Sequence, residues 1–158
     1  MSGSGDSDVP LWVRPTAHPA ADPAFLGTGW SFPPSFSRHA ASVVMTSGET
    51  DIRESLWILL STSLGERIML ATYGCQIWSK VFAALTNTLA NEIASLIRSA
   101  ILDWEPRVDV EQVEVTQMAT LRGCLNIDIG YRIRQTNVRS NLVYPFYLHE
   151  ATLPPPVP

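Results

Sequence analysis

Trp104-Glu105-Pro106-Arg107 divides the chain into a helical half and a stranded half. Proline lacks an N–H donor and pushes its predecessor out of the helical region, so the long helical pattern before it ends near Trp104. Glu105 and Arg107 flank the break. An acid and a guanidinium at a rigid corner suit a grip on another chain, which points to an assembly part rather than an enzyme. Residue chemistry alone also allows an internal ion pair, common at such corners and often of small energetic weight.

Upstream of the corner, Asn87 to Asp103 carries a stripe of Leu89, Ile93, Leu96, Ile97, Ala100 and Ile101 at helical spacing. Asn91, Glu92, Ser95, Arg98 and Ser99 make its polar face. A shorter helical piece is expected around Trp78 to Leu85. An earlier helix is expected from Asp51, with Asp51 and Glu54 at capping-box spacing, Ile52, Leu56, Leu59 and Leu60 on one face, and Gly65 as C-cap. The loop from Gly65 to Gly74 holds Glu66, Arg67 and Tyr73, a composition that suggests order through specific contacts.

Downstream, three strands are expected. Val108 and Val110 share one phase and Val113 and Val115 the other, so a bulge is predicted at Glu111-Gln112. Leu125, Ile127, Ile129, Tyr131 and Ile133 alternate strictly with Asn126, Asp128, Gly130, Arg132 and Arg134, the pattern of a half-buried strand. Gln135-Thr136-Asn137 is a hairpin-sized turn. Leu142 to Leu148 is apolar or aromatic on both faces, and Pro145 within it argues for an edge position. The fold class is α+β, with helices packed on one side of a small antiparallel sheet.

The chain has 158 residues, 46% hydrophobic and only 16% charged, where about a quarter charged is usual. That suits one domain with part of its surface covered by partners. A net charge of −4 gives no footprint for nucleic acid. Lys80 is the only lysine among eleven basic residues, a bias that interface use of arginine and base composition explain equally well. No apolar run is long enough for a membrane span and no leader is visible, so the cytosol is the default compartment. Cys75 and Cys124 read as reduced core thiols. His18, His39 and His149 are too scattered to hold a metal, and no cofactor is expected.

Residues 1–24, which open with Gly, Ser and Asp and continue with spaced prolines, read as a flexible arm. Residues 25–150 read as the domain and 151–158 as a polyproline tail. The aromatic segment Phe25 to Phe36 is expected to fold over the domain as a lid through Trp30, Phe32 and Phe36. Its Gly27-Thr28-Gly29 lacks the third glycine and the strand–helix context of a dinucleotide fingerprint.

Catalysis finds little support. Carboxylate pairs can be drawn from Glu49, Glu66, Glu92, Glu105 and Glu150, yet none sits in an active-site sequence. An Arg107 partner would lower the Glu105 pKa, the wrong direction for a general acid. No serine occupies a nucleophile elbow.

The pieces Gly27–Pro33, Ile52–Leu60, Gly65-Glu66-Arg67 with Tyr73-Gly74, the long helix, Glu105-Pro106-Arg107 and Gly123–Arg134 occur together and in order. As a set they resemble the small baseplate wedge, or sheath-initiator, family of contractile injection machines: contractile phage tails, type VI secretion and extracellular phage-tail-like particles. The resemblance implies a miniature of the sheath subunit's assembly (handshake) domain. It implies a structural, non-enzymatic part present in several copies around a central tube within a phage-tail-like particle. Implied partners are wedge proteins and the sheath subunit, with tube or hub proteins as further neighbours. Some members have been labelled lysozyme-like, and that activity is not carried over. The resemblance also implies that the Glu105-Pro106-Arg107 corner contacts the wedge proteins' helical core bundle. The partner-binding candidates are Trp104, Glu105, Pro106, Arg107, Glu66, Arg67 and Arg132, with Leu142, Val143, Tyr144 and Phe146 on the expected edge strand, where a sheath arm would dock mainly through backbone hydrogen bonds. The alternatives are a peptidoglycan-cleaving baseplate enzyme and a cytosolic adaptor of the same fold.

Overall fold

A computed structural model describes residues 24–38, 41–84, 86–118 and 123–148. The N-terminal arm, the C-terminal tail and the three histidines lie outside the described residues, apart from Ala24 at the arm's end. The order of elements is β1 (Thr28–Trp30), β2 (Phe36–Ser37), β3 (Ser42–Val43), β4 (Met45–Ser47), α1 (Gly48–Ser61), α2 (Asn87–Trp104), β5 (Val108–Gln117), β6 (Cys124–Ile133) and β7 (Arg139–Tyr147). Single 3₁₀ turns occupy Ala24–Leu26 and Gln76–Lys80.

The main sheet is antiparallel, in the order β5-β6-β7. In β6 every odd residue from Leu125 to Ile133 is buried and every even one from Asn126 to Arg132 is half-buried. One face is therefore pinned to the core, and a one-residue slip would expose all of it. The bulge falls between Val110 and Gln112, so Glu111 is the extra residue and Val113 returns to the core side opposite Ile129. This is the register the two valine phases require.

Both helices cover the inner face. α2 lies along β5, with Leu89, Ile93, Ile97, Ala100 and Ile101 buried. Thr86 caps it, its hydroxyl accepting from Leu89 N at 3.1 Å. It ends at Trp104, where Glu105 N still donates to Ile101 O at 2.8 Å before Pro106 stops the ladder. α1 reaches β7, where Trp57 meets the Tyr144 ring edge-on at 4.8 Å and Ser61 Oγ lies 3.3 Å from the Tyr144 hydroxyl. Ile52, Leu56, Leu59 and Leu60 form its buried face. Each such aliphatic side chain contributes about 1.5–3 kcal/mol through burial.

Several local expectations are corrected. α1 begins at Gly48 with Ser47 as N-cap, so Asp51 and Glu54 lie inside the helix and form no capping box. Glu54 is 6% exposed and instead accepts from Phe32 N (3.1 Å) and the Thr46 hydroxyl (2.8 Å), tying α1 to the first strands. Gly65 is not the C-cap, because α1 stops at Ser61 and Thr62 turns its hydroxyl back to Ile58 O at 2.7 Å. The short helical piece is a 3₁₀ segment, Gln76–Lys80, that starts two residues earlier than expected and stops at Lys80. The aromatic lid is not seen as expected among the described residues. Leu26 is the buried anchor of its segment and Phe32 is half-buried, while Trp30 and Phe36 stand exposed on narrow two-stranded ribbons (β1 with β4, β2 with β3).

Candidate functional site

The Glu105-Pro106-Arg107 corner turns inward. Arg107 closes a fork on Glu105, Nε to Oε1 at 2.6 Å and Nη2 to Oε2 at 2.7 Å. Its third nitrogen, Nη1, donates to Asp51 Oδ2 at 2.7 Å and to the Leu26 carbonyl at 3.0 Å. Ser55, one helical turn beyond Asp51, donates its hydroxyl to Glu105 Oε2 at 2.6 Å. One guanidinium thus joins the start of the domain, α1, the end of α2 and the start of β5. Planar, bidentate recognition of this kind needs arginine.

The glycines of the opening segment belong to the same cluster. Gly27 has φ +99°, which L side chains rarely adopt, and a Cβ there would lie 3.4 Å from Arg107 Nη1. A Cβ at Gly29 would collide with the Asp51 carboxylate. Close passage of the backbone over the ion pairs accounts for Gly-Thr-Gly without any phosphate.

Burial pushes the Glu105 carboxyl up, but hydrogen bonds from Arg107 and Ser55, with the Arg107 charge, outweigh it and hold Glu105 below its ordinary value. The Glu105 carboxylate raises the Arg107 guanidinium further above its normal range against desolvation, with Asp51 adding to the effect. Glu105 is 3% exposed, and about a quarter of the Arg107 side chain reaches solvent. A carboxylate held ionised under a guanidinium cannot serve as a general acid near neutral pH.

Trp104 carries the cluster outward. Its ring meets Tyr73 edge-on at 5.3 Å, and the Arg67 guanidinium lies 4.0 Å over the Tyr73 ring. Burial raises the Tyr73 pKa, Arg67 lowers it and Glu105 raises it. Glu66 Oε2 accepts from Ser63 N at 2.8 Å, and Gly65 N donates to Ala71 O at 2.8 Å. Glu66 and Arg67 therefore shape the loop, and its tip carries Ile68 and Met69 at 95% and 94% exposure. The sequence reading missed this tip, although its signal was present: two adjacent apolar residues outside any periodic pattern.

The remaining candidates lie on the sheet. Arg132 stands on the outer face, 3.5 Å from Asp109 and 3.2 Å from Asn137 Oδ1. The side chains of Leu142, Tyr144 and Phe146 are buried in the core, where Phe146 meets Trp78 edge-on at 5.4 Å, so at these positions only the backbone is left for a partner. Val143 points outward and is 43% exposed.

Ladder parity fixes the open edge. Ile133 N donates to Val138 O at one end of the β6–β7 pair and Leu148 N to Gly123 O at the other. Antiparallel pairs alternate between bonded and non-bonded, which makes Asp128–Val143 and Asn126–Pro145 non-bonded pairs. The N–H groups of Arg139, Asn141, Val143 and Tyr147 therefore face away from β6. Pro145 lacks its donor on that same open side and costs the sheet nothing.

A small α+β domain with an inward ion-pair brace and a sheet edge that no described residue pairs has the character of an assembly module. The chain belongs to the baseplate wedge protein gp25 family, whose model matches residues 46–138. It is accordingly a baseplate component of the contractile injection class. A Geobacter sulfurreducens protein provisionally described as a tail lysozyme is similar at 43% identity, over 70% of this chain and 99% of its own, with a TM-score of 0.64. A chain of the anti-feeding prophage baseplate is similar at 27% identity, over 79% of this chain and 88% of its own, with a TM-score of 0.58. A chain of the type VI secretion baseplate complex shares the fold at 14% identity and a TM-score of 0.53, covering 61% of this chain and 90% of its own. No curated protein matches. No helix among the described residues is long and apolar enough to cross a membrane.

Proposed function

We propose that this chain starts the sheath of a contractile particle. It accepts a strand of the first sheath ring on β7 and is seated in the wedge through the loop and corner side of the domain. The observation that carries this reading is the β7 edge, open among the described residues, with outward N–H groups at Arg139, Asn141, Val143 and Tyr147 on a sheet otherwise anchored to the core. Unpaired edges of this kind invite strand addition. On the wedge side, Arg107 and Trp104 brace the corner, Glu66 and Arg67 hold the loop, and Ile68 and Met69 supply the apolar contact. Several copies would sit in a ring about the tube.

The role is structural and not catalytic. The tail-lysozyme description of one relative makes peptidoglycan cleavage the reading to weigh against it. Asp51 and Glu105, the carboxylates brought together at the corner, are both paired with Arg107, and neither is free to act as acid or nucleophile. Clearing of purified cell walls by this protein, lost on a single Glu→Gln or Asp→Asn change, would reverse that assignment.

The direct test is Val143→Pro in a reconstituted baseplate. The change removes an outward donor on the edge and leaves every β6–β7 bond in place. Complete baseplates that grow no sheath are expected. Normal sheath growth from the variant would show that the edge is not the docking strand.

A further inference from the structure

We propose that the outer face of the sheet sets the register and charge pattern of the strand that joins β7: a basic residue across from Val143 and an acidic residue across from Arg139, four positions apart. The inference rests on strand addition at β7, as proposed above, and deepens it to the identity of the incoming residues.

Two rows of side chains cross that face. In the first, Asp109, Arg132 and Arg139 lie side by side on β5, β6 and β7. Like charges directly opposite one another repel, and Arg132 and Arg139 are such a pair. The bulge offsets this by placing Glu111 between them, 3.2 Å from Arg139 Nε and 3.8 Å from Arg132 Nε. Asp109 serves Arg132 at 3.5 Å and Arg134 at 2.6 Å. Three guanidiniums thus share two carboxylates. Arg139, the outermost, has a side chain 78% exposed.

The second row runs Glu114, Asp128, Val143. Here two carboxylates face each other, and among the described residues no cation pairs with either. Glu114 accepts only from Gln112 Nε2, at 2.7 Å. Among the described residues nothing resolves this repulsion as Glu111 resolves the other. Beyond Asp128 comes the exposed apolar Val143, and then the open edge.

A strand added to β7 places its next residue in each row. Two strand spacings, roughly 10 Å, separate that residue from Asp128. A lysine or arginine spans this with its methylenes along Val143 and its head on the carboxylates. An acidic residue in the other row meets Arg139. The backbone alone would accept pairing shifted by two residues; the charges would not. A one-residue shift would turn both charges off the outer face.

The test measures binding of the full chain to the purified sheath subunit of its own particle, by biolayer interferometry at several salt concentrations. The variants are Glu114→Gln with Asp128→Asn, Arg139→Glu, and Val143→Pro. The double neutralisation removes a repulsion, so the chain should fold with an equal or higher Tm. Its binding should weaken about tenfold and lose most of its salt dependence. Arg139→Glu sets a carboxylate beside Glu111 and across from the incoming acid, so it should weaken binding about tenfold or more, and wild-type affinity in this variant would overturn the acidic partner. Unchanged affinity in the double variant, with Val143→Pro abolishing binding, would overturn the charge pattern and leave strand addition standing. Binding by Val143→Pro as tight as the wild type, or no binding by the wild type, would overturn strand addition and the charge pattern with it.

Discussion

Arg107 meets Asp51 across fifty-six positions of sequence, Nη1 to Oδ2 at 2.7 Å, while its fork holds Glu105 two positions away. The corner is therefore the point at which the two helices, the first turn and the sheet are fastened. Removing the guanidinium leaves Glu105 almost fully buried without a counter-charge. Arg107→Ala should cost about 3 kcal/mol, the lower end of the range for breaking a buried pair because Arg107 is partly exposed. At this chain length that lowers Tm by about 10 °C. Arg107→Lys should recover little, since an ammonium cannot form the fork. Scanning calorimetry giving an Arg107→Ala Tm within about 2 °C of wild type, together with failed assembly, would return the corner to a purely partner-facing role.

Acid should loosen the same joint. The folded Glu105 pKa lies below its ordinary value of 4.5, so the folded state favours the ionised form. Its contribution is fully present above that value and is lost as pH falls through the folded pKa. Arg107 is shifted upward and stays charged throughout. Tm measured from pH 6 downward should therefore begin to drop near pH 4.5, and Glu105→Gln should start lower and fall less steeply. Parallel curves for the two proteins would mean that Glu105 does not carry the acid sensitivity.

The loop separates folding from assembly. Ile68 and Met69 are almost wholly exposed, so serine at both should change Tm by no more than a degree or two, roughly the range of surface substitutions. If the tip fills an apolar pocket on a wedge protein, the same variant should be missing from purified baseplates. Normal incorporation would remove the loop from the wedge contact.

Elements set by local chemistry were legible in the sequence. The β6 alternation, the α2 stripe and Pro106 at the helix end each act within a few residues. The bulge at Glu111 followed from the change of phase between Val110 and Val113. What escaped the sequence depends on distant partners. Asp51 and Glu54 have capping-box spacing, yet their true contacts are Arg107, Thr46 and the Phe32 backbone. Trp30 and Phe36 carry the composition of a core but are exposed among the described residues, and hydropathy does not say which apolar side chains end up covered. For the candidate site, Glu105 and Arg107 stood out because proline fixes the corner. Whether they face inward depended on Leu26, Asp51 and Ser55, none of them nearby in sequence. On β7, the strand was legible as an edge, but which of its residues face out needed the ladder parity.

The most direct measurement is a cryo-electron-microscopy reconstruction of the assembled particle at a resolution that traces strands. A sheath-subunit segment hydrogen-bonded to the backbone of Val143 and its neighbours, extending the three-stranded sheet by one strand at β7, is the expected result. A sheath arm bound elsewhere, with the β7 edge open to solvent, would contradict strand addition as the way this protein begins a sheath.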